Sequence, residues 1–256
     1  MKHWPMWLVP ALAAAGFIVL YASDANRSLF IALNALGPAT SDWLWANITV
    51  LGDTLVAFAL CLPLWRRRPD LLWAFVFVAL LGTAWVHGLK PFIDVERPPA
   101  VLGGAVHIIG PAYKAHTFPS GHATTAFAIG GLFALGVRSG IWAGVVFALA
   151  VLAALSRSVV GVHWPLDILA GMCGGWLAAA VALALARRTL RFGSRPWVQW
   201  AIGIFLLLCA LALLFGYRRD YPQAQWFERL IAIACLAGAA LTFLPGARLK
   251  RAASEN

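Results

Sequence analysis

SRSVVGVHWPLDILAGMCGGWLAAAVALALA, residues 156–186, decides the fold of this chain. From Leu166 to Ala186 it holds one charge, Asp167 near the start, and otherwise apolar or small residues. That length matches the roughly 20 residues a helix needs to cross a bilayer. Seven further runs of this kind flank it. Trp4–Ser23, Trp45–Trp65, Leu71–Gly88, His122–Val137 and Ile141–Ser156 precede it, and Gln199–Gly216 and Phe227–Pro245 follow. Of the 256 residues, 62% are hydrophobic and 12% are charged, with a mean hydropathy of +0.80. A soluble domain carries about 25% charged residues, so this composition cannot cover a water-facing surface. The expected fold class is an all-α, polytopic membrane helical bundle. Disordered, collagen-like and disulfide-stapled classes are excluded. Cys61, Cys173, Cys209 and Cys235 each sit within apolar runs and read as small buried hydrophobes.

The net charge of +10 marks loops rather than a nucleic-acid partner, because no basic reader motif accompanies it. With the N-terminus cytoplasmic, Lys2, Arg66, Arg67, Arg68, Arg138, Arg187, Arg188, Arg191, Arg195, Arg248, Lys250 and Arg251 fall on the cytoplasmic side. Arg27, Lys90, Arg97, Lys114, Arg157, Arg218, Arg219 and Arg229 fall on the other. The positive-inside rule therefore predicts cytoplasmic N- and C-termini. Many of the 13 Trp flank the runs, as an aromatic belt does. Asn26–Asp42 is too polar to cross, and its Leu29, Phe30, Leu33 and Leu36 have the spacing of an interfacial helix. Asp53, inside the second run, is expected to serve helix packing.

A charge at the bilayer centre costs about 2.5–3.5 kcal/mol on insertion scales, so the position of polar groups is informative. Three clusters fall on the expected non-cytoplasmic side. The first is Lys90-Pro-Phe-Ile-Asp-Val-Glu-Arg97-Pro98, with two fixed cations on a proline-stiffened segment. Alone it also reads as snorkelling cations at a helix end. The second is Pro119-Ser120-Gly121-His122, with Ser120 a natural cap and the helix start an anion-binding terminus. Alone it also reads as a plain capped helix. The third runs from Ser156-Arg157 through His163 to Asp167. His163 and Asp167 are four apart and can share a helical face, so the carboxylate can fix the imidazole tautomer. Alone that is also a structural hydrogen bond. Together they supply three cations, a helix-terminus nest and two histidines. That set suits a double displacement at phosphorus, one histidine attacking and one protonating the leaving group. The cations disfavour a divalent metal, and neither a metal nor another cofactor is expected.

Lys90-x6-Arg97-Pro98, Pro119-Ser120-Gly121-His122 and Ser156-Arg157-x5-His163-x3-Asp167, in this order, resemble the signature of the type 2 phosphatidic acid phosphatase superfamily. The resemblance spans about Leu71–Ala186. It implies a six-helix phosphatase core and metal-free hydrolysis of phosphate esters. By that analogy His163 attacks phosphorus, Asp167 orients it and His122 protonates the leaving oxygen. Lys90, Arg97, Ser120, Gly121 and Arg157 would then bind the phosphoryl oxygens. The implied organisation is a core over 1–198, its motifs within 90–167, and a C-terminal transmembrane hairpin with a short polar tail over 199–256. That hairpin reads as stabilising or dimerising. Residues Pro99–Phe118 read as a flap at the interface.

The expected function is an integral-membrane lipid phosphatase of the bacterial inner (plasma) membrane, acting on the periplasmic face. Its partners are membrane lipids and an amphiphilic lipid phosphate: undecaprenyl pyrophosphate, phosphatidic acid, phosphatidylglycerol phosphate or lipid A. The carrier pyrophosphate is preferred because it needs recycling on that face. A lipid phosphotransferase using the same phosphohistidine is one alternative. An anion or lipid transporter is another, without the broken inverted repeat that would favour it.

Overall fold

The computed structural model describes residues 4–113, 115–137, 139–216 and 220–243. Among them every regular element is a helix. In chain order these are α1 (Trp4–Ala22), α2 (Asn26–Asn34), α3 (Leu36–Ala39), α4 (Asp42–Thr49), α5 (Thr54–Cys61), α6 (Pro69–Leu89) and α7 (Pro98–Leu102). They continue with α8 (Gly121–Gly136), α9 (Gly140–Val159), α10 (Pro165–Arg188), α11 (Leu190–Gly193), α12 (Pro196–Phe215) and α13 (Gln225–Ala240).

Four helices, α6, α9, α10 and α12, together with the segment Pro222–Phe243 that contains α13, are long and apolar enough to cross a membrane. Two bent pairs bring the number to as many as seven. The molecule is thus an all-helical membrane protein, but the eight expected spans are not eight straight helices. The run Trp45–Trp65 is broken by a 61° bend. Asp53 sits at the break with extended backbone, and its Oδ1 accepts from the Leu55 and Val56 amides at 2.7 and 3.2 Å. Asp53, expected to serve helix packing, thus also caps the second half of a broken run. The fourth run forms α8, with only 16 residues, short of the usual spanning length. Between α1 and α2 the chain turns by 108°, as an interfacial α2 would require.

The helix α10 is central, packed against α8, α6 and α1. Its approach to α8 depends on Gly171, where a Cβ would lie 2.8 Å from the Ser120 carbonyl oxygen. Small residues let transmembrane helices close to backbone contact. One result is a hydrogen bond from the Ser120 amide to the Asp167 carbonyl, 3.1 Å, which joins the N-termini of α8 and α10. On the far side, α12 and α13 pack on α5, and Leu206 and Leu213 share a core with Val56, Leu72 and Leu132. Large apolar side chains such as Leu80 and Ile141, 62% and 86% exposed, point outward, where lipid tails replace a protein partner. Lys2, Lys114, Arg138, Arg218, Arg219, Arg248, Lys250, Arg251 and the end of the last expected run at Pro245 lie outside the described residues.

Candidate active site

The connection from α9 to α10 builds the centre of the site. α9 runs to Val159, past the expected end at Ser156, so Arg157 sits in its last turn. The Arg157 carbonyl then accepts from the amides of Val162 and His163, at 3.1 and 3.2 Å, and Ser158 Oγ donates to the His163 carbonyl at 2.9 Å. These bonds hold His163 just before Pro165 starts α10. Asp167 folds back so that its Oδ2 accepts from the Trp164 amide at 2.8 Å. The same oxygen lies 3.3 Å from His163 Nδ1.

Thr117 stands between these two side chains. Its hydroxyl lies 3.0 Å from His163 Nδ1 and donates a short hydrogen bond to Asp167 Oδ2. On the other ring edge, Arg97 Nη1 lies 3.4 Å from His163 Nε2. A guanidinium only donates, so Nε2 is the accepting, unprotonated nitrogen and Nδ1 carries the proton. His163, Asp167 and Thr117 are all buried, with His163 3% exposed.

Arg97 arrives from the segment after α6. Its Nε donates to the Ala115 carbonyl at 2.9 Å and its Nη1 to the Val162 carbonyl at 3.1 Å. Trp164 Nε1 donates to the Glu96 carbonyl at 2.8 Å, which ties that segment to α10. Arg157 is 2% exposed, and its Nη1 donates to Thr49 Oγ1 at 2.7 Å and to the Tyr221 hydroxyl at 2.8 Å. Its Nε is buried with no hydrogen-bond partner among the described residues. An unpaired buried donor of a charged group is costly unless something supplies an acceptor.

Lys90, at the end of α6, completes a set of three cations. Burial lowers its pKa, and Arg97 adds to the effect. Arg97 is pushed down to about 10, by burial first and by Arg157 second. Burial also holds the His163 imidazole well below its usual value, and Arg97, Arg157, His122 and Lys90 act in the same direction. The resting nucleophile candidate is therefore neutral, among cations that repel one another. Such a cluster favours a multiply charged anion.

Ser120, fully buried, caps α8: its Oγ accepts from the Ala123 amide at 3.4 Å. Its own amide is committed to Asp167, so that N–H is not available to a ligand. The next two amides, of Gly121 and His122, open the helix and have no intrahelical acceptor. His122 borders a cavity of about 160 Å³ with Thr54, Thr83, His87, Gly121 and Thr125. Among the described residues no three His, Cys, Asp or Glu side chains gather as a metal-binding group.

All eight sequence-expected residues thus converge on one end of the bundle. Five supporting residues were not expected: Thr117, Thr49, Tyr221, Tyr113 and Asn34. Tyr113 lies under the Arg97 guanidinium, 5.0 Å from Cζ to ring centre. The buried Asn34 clamps the Pro99–Phe118 connection: its Nδ2 donates to the His107 and Val159 carbonyls at 2.7 and 2.9 Å, and its Oδ1 accepts from the His107 amide at 2.9 Å. None of these five belongs to a spaced motif. For Asn34 and Thr49 the usable signal was a polar side chain in an apolar neighbourhood; Tyr113, Thr117 and Tyr221 lie in polar stretches and carried none.

Three comparisons with known proteins bear on this geometry. The profile of the PAP2 superfamily matches residues 70–191, which ends before α12 and α13. A protein named putative undecaprenyl-diphosphatase YbjG, from Escherichia coli (strain K12), is 31% identical over 173 residues, 62% of this chain and 81% of the relative. An undecaprenyl-diphosphatase from Sulfolobus acidocaldarius is 29% identical over 161 residues, 60% of this chain and 75% of its own length. Among solved structures, Aquifex aeolicus LpxE superposes with a TM-score of 0.57 at 29% identity, over 62% of this chain and 94% of that one.

Proposed function

This chain belongs to the PAP2 superfamily and is a membrane lipid phosphatase, and we propose that it removes the terminal phosphate of a polyprenyl diphosphate through a phosphohistidine on His163. The observation that supports the mechanism is the orientation of that imidazole: Nδ1 is held by Thr117 and Asp167, and Nε2 faces the Arg97 guanidinium. The diphosphate preference is supported by the two diphosphatase relatives.

In this reading the terminal phosphoryl group displaces Arg97 Nη1 from Nε2, so that the lone pair faces phosphorus and the guanidinium turns to the phosphoryl oxygens. Arg97, Arg157, Lys90 and the Gly121 and His122 amides bind its oxygens and stabilise the charge that develops in transfer. The Nε2 lone pair forms a bond to phosphorus as the bond to the bridging oxygen breaks. His122, which holds a proton once the phosphate anion is bound among the cations, gives it to that oxygen and becomes neutral, and the lipid monophosphate leaves. Neutral His122 then takes a proton from water, whose oxygen attacks phosphorus and breaks the P–N bond. Inorganic phosphate leaves and both histidines return to their starting states. As the imidazole acquires charge, the Asp167 carboxylate stabilises it through Nδ1–H. The core lies within 1–198, the hairpin within 199–256, and the site opens on the extracytoplasmic face, opposite the Arg66–Arg68 loop.

Phosphate release by purified protein on a panel tests the reading: undecaprenyl pyrophosphate, phosphatidic acid, phosphatidylglycerol phosphate and lipid A phosphates. The diphosphate is expected to give the highest kcat/KM. A phosphomonoester lipid turned over more than tenfold better would overturn the substrate assignment.

A further inference from the structure

The C-terminal hairpin enters the site at two adjacent residues. Tyr221 lies between α12 and α13, is 3% exposed, and packs with Ala46, Val50, Ile109, Val160 and Val162. Gly110, at φ +87°, lies against its ring so closely that a Cβ there would stand 2.6 Å from Tyr221 Cε1. The ring is therefore held from both sides, and its hydroxyl accepts from Arg157 Nη1 at 2.8 Å. Its neighbour Asp220 accepts at Oδ2 from the Tyr113 hydroxyl at 2.7 Å, and the Tyr113 ring carries the Arg97 guanidinium. Each of two consecutive hairpin residues thus supports one of the two arginines flanking His163.

The geometry at Arg157 is specific. Nη1 has two hydrogens, and Thr49 and Tyr221 take both. That fixes the guanidinium about its far corner. What remains is the Nε–Nη2 edge, the fork whose parallel N–H bonds match two oxygens of a phosphate. Nε is the donor left buried without a partner.

We propose that Tyr221 is a positioning residue that aims the Nε–Nη2 fork of Arg157 at a phosphoryl group, so that the C-terminal hairpin is part of the catalytic unit. This rests on the reading of Arg157 as a phosphate ligand. It replaces the expectation that the hairpin only stabilises or dimerises.

The test uses the purified full-length protein and inorganic orthovanadate, whose binding needs no assumption about the lipid. Hydrogen bonds to charged groups are among the stronger ones, so Tyr221→Phe is expected to weaken vanadate binding about tenfold. Thr49→Val, which removes the other acceptor, is expected to do the same. A double-mutant cycle separates positioning from general destabilisation: in an Arg157→Lys background, Tyr221→Phe should cost nothing further, whereas with Lys90→Ala the losses should multiply. Wild-type affinity in Tyr221→Phe, or losses that multiply with Arg157→Lys, would overturn the proposal while leaving the phosphatase reading intact. A wild-type protein that binds no vanadate would overturn the anion site, and the proposal with it.

Discussion

His163 Nδ1 and Asp167 Oδ2 stand 3.3 Å apart, and both reach the hydroxyl of Thr117 more closely than they reach each other. The four-residue spacing brings the imidazole and the carboxylate to one face. The hydroxyl of a loop residue 46 positions before His163 completes their link.

Removing the carboxylate charge should therefore cost more than removing the hydroxyl. Asp167→Asn is expected to lower kcat by about 10²- to 10⁴-fold, the usual range for a positioned acid–base partner. Thr117→Val should lower it about tenfold, and Thr117→Ser should restore most of the loss. Steady-state rates on one lipid substrate check the order; a Thr117→Val defect larger than that of Asp167→Asn would contradict it.

His163→Ala should abolish turnover. His122→Ala should accumulate an acid-labile phosphoenzyme, and only with a substrate whose leaving group needs no protonation. Rapid quenching with ³²P-labelled substrate reads both. Full activity in His163→Ala would remove the covalent step altogether.

The pH profile follows from the lowered His163 value. An attacking imidazole is competent above its pKa, so the acid limb of the profile should lie well below pH 6.5, near which an unperturbed histidine would put it. On the alkaline side kcat should fall first, as His122 loses the proton it must give to the leaving oxygen, and substrate affinity should fall again as Arg97 loses charge through about 10. An acid limb at 6.5 or above that shifts in no histidine variant would argue against His163 as the attacking group.

Turnover should persist in excess EDTA, because Lys90, Arg97 and Arg157 supply the positive charge that a metal would otherwise bring. Orthovanadate should inhibit, as a trigonal-bipyramidal adduct on His163 resembles the transition state. Loss of activity in EDTA, restored by Mg²⁺, would contradict the first expectation.

Sidedness is measurable with single cysteines in a background lacking Cys61, Cys173, Cys209 and Cys235. Ala105 and Arg67 are both exposed, one in the connection between α7 and α8 and one in the loop before α6. An impermeant thiol reagent on intact spheroplasts should label position 105 and spare position 67. The reverse pattern would move the chemistry to the cytoplasmic face.

The helices were legible because apolar runs of bilayer length leave few alternatives in a chain with 12% charged residues. The motif residues were legible because charges placed at the ends of such runs are costly and need a reason. The break at Asp53 was not, since a carboxylate capping a helix and one packing between helices look alike in a one-dimensional reading. Thr117, Thr49 and Tyr221 were hidden for another reason. Their roles come from long-range approach, 108 positions apart for Thr49 and Arg157, and a lone hydroxyl has no spacing to read. The capping role of Ser120 is readable from its place before an apolar run, but the commitment of its amide to the Asp167 carbonyl depends on the helix approach at Gly171.

The shortness of α8 has a bearing on where the reaction happens in depth. At 1.5 Å per residue its 16 residues rise about 24 Å, against hydrocarbon about 30 Å thick. The helix that carries His122 at its first turn therefore cannot reach both surfaces of an undeformed bilayer. Either the leaflet dimples toward the protein or the phosphate descends to meet the amides. Both adjustments become harder as acyl chains lengthen. Membranes of longer-chain lipids should therefore raise the KM for a membrane-borne substrate, while the affinity for orthovanadate, which arrives from water, stays the same.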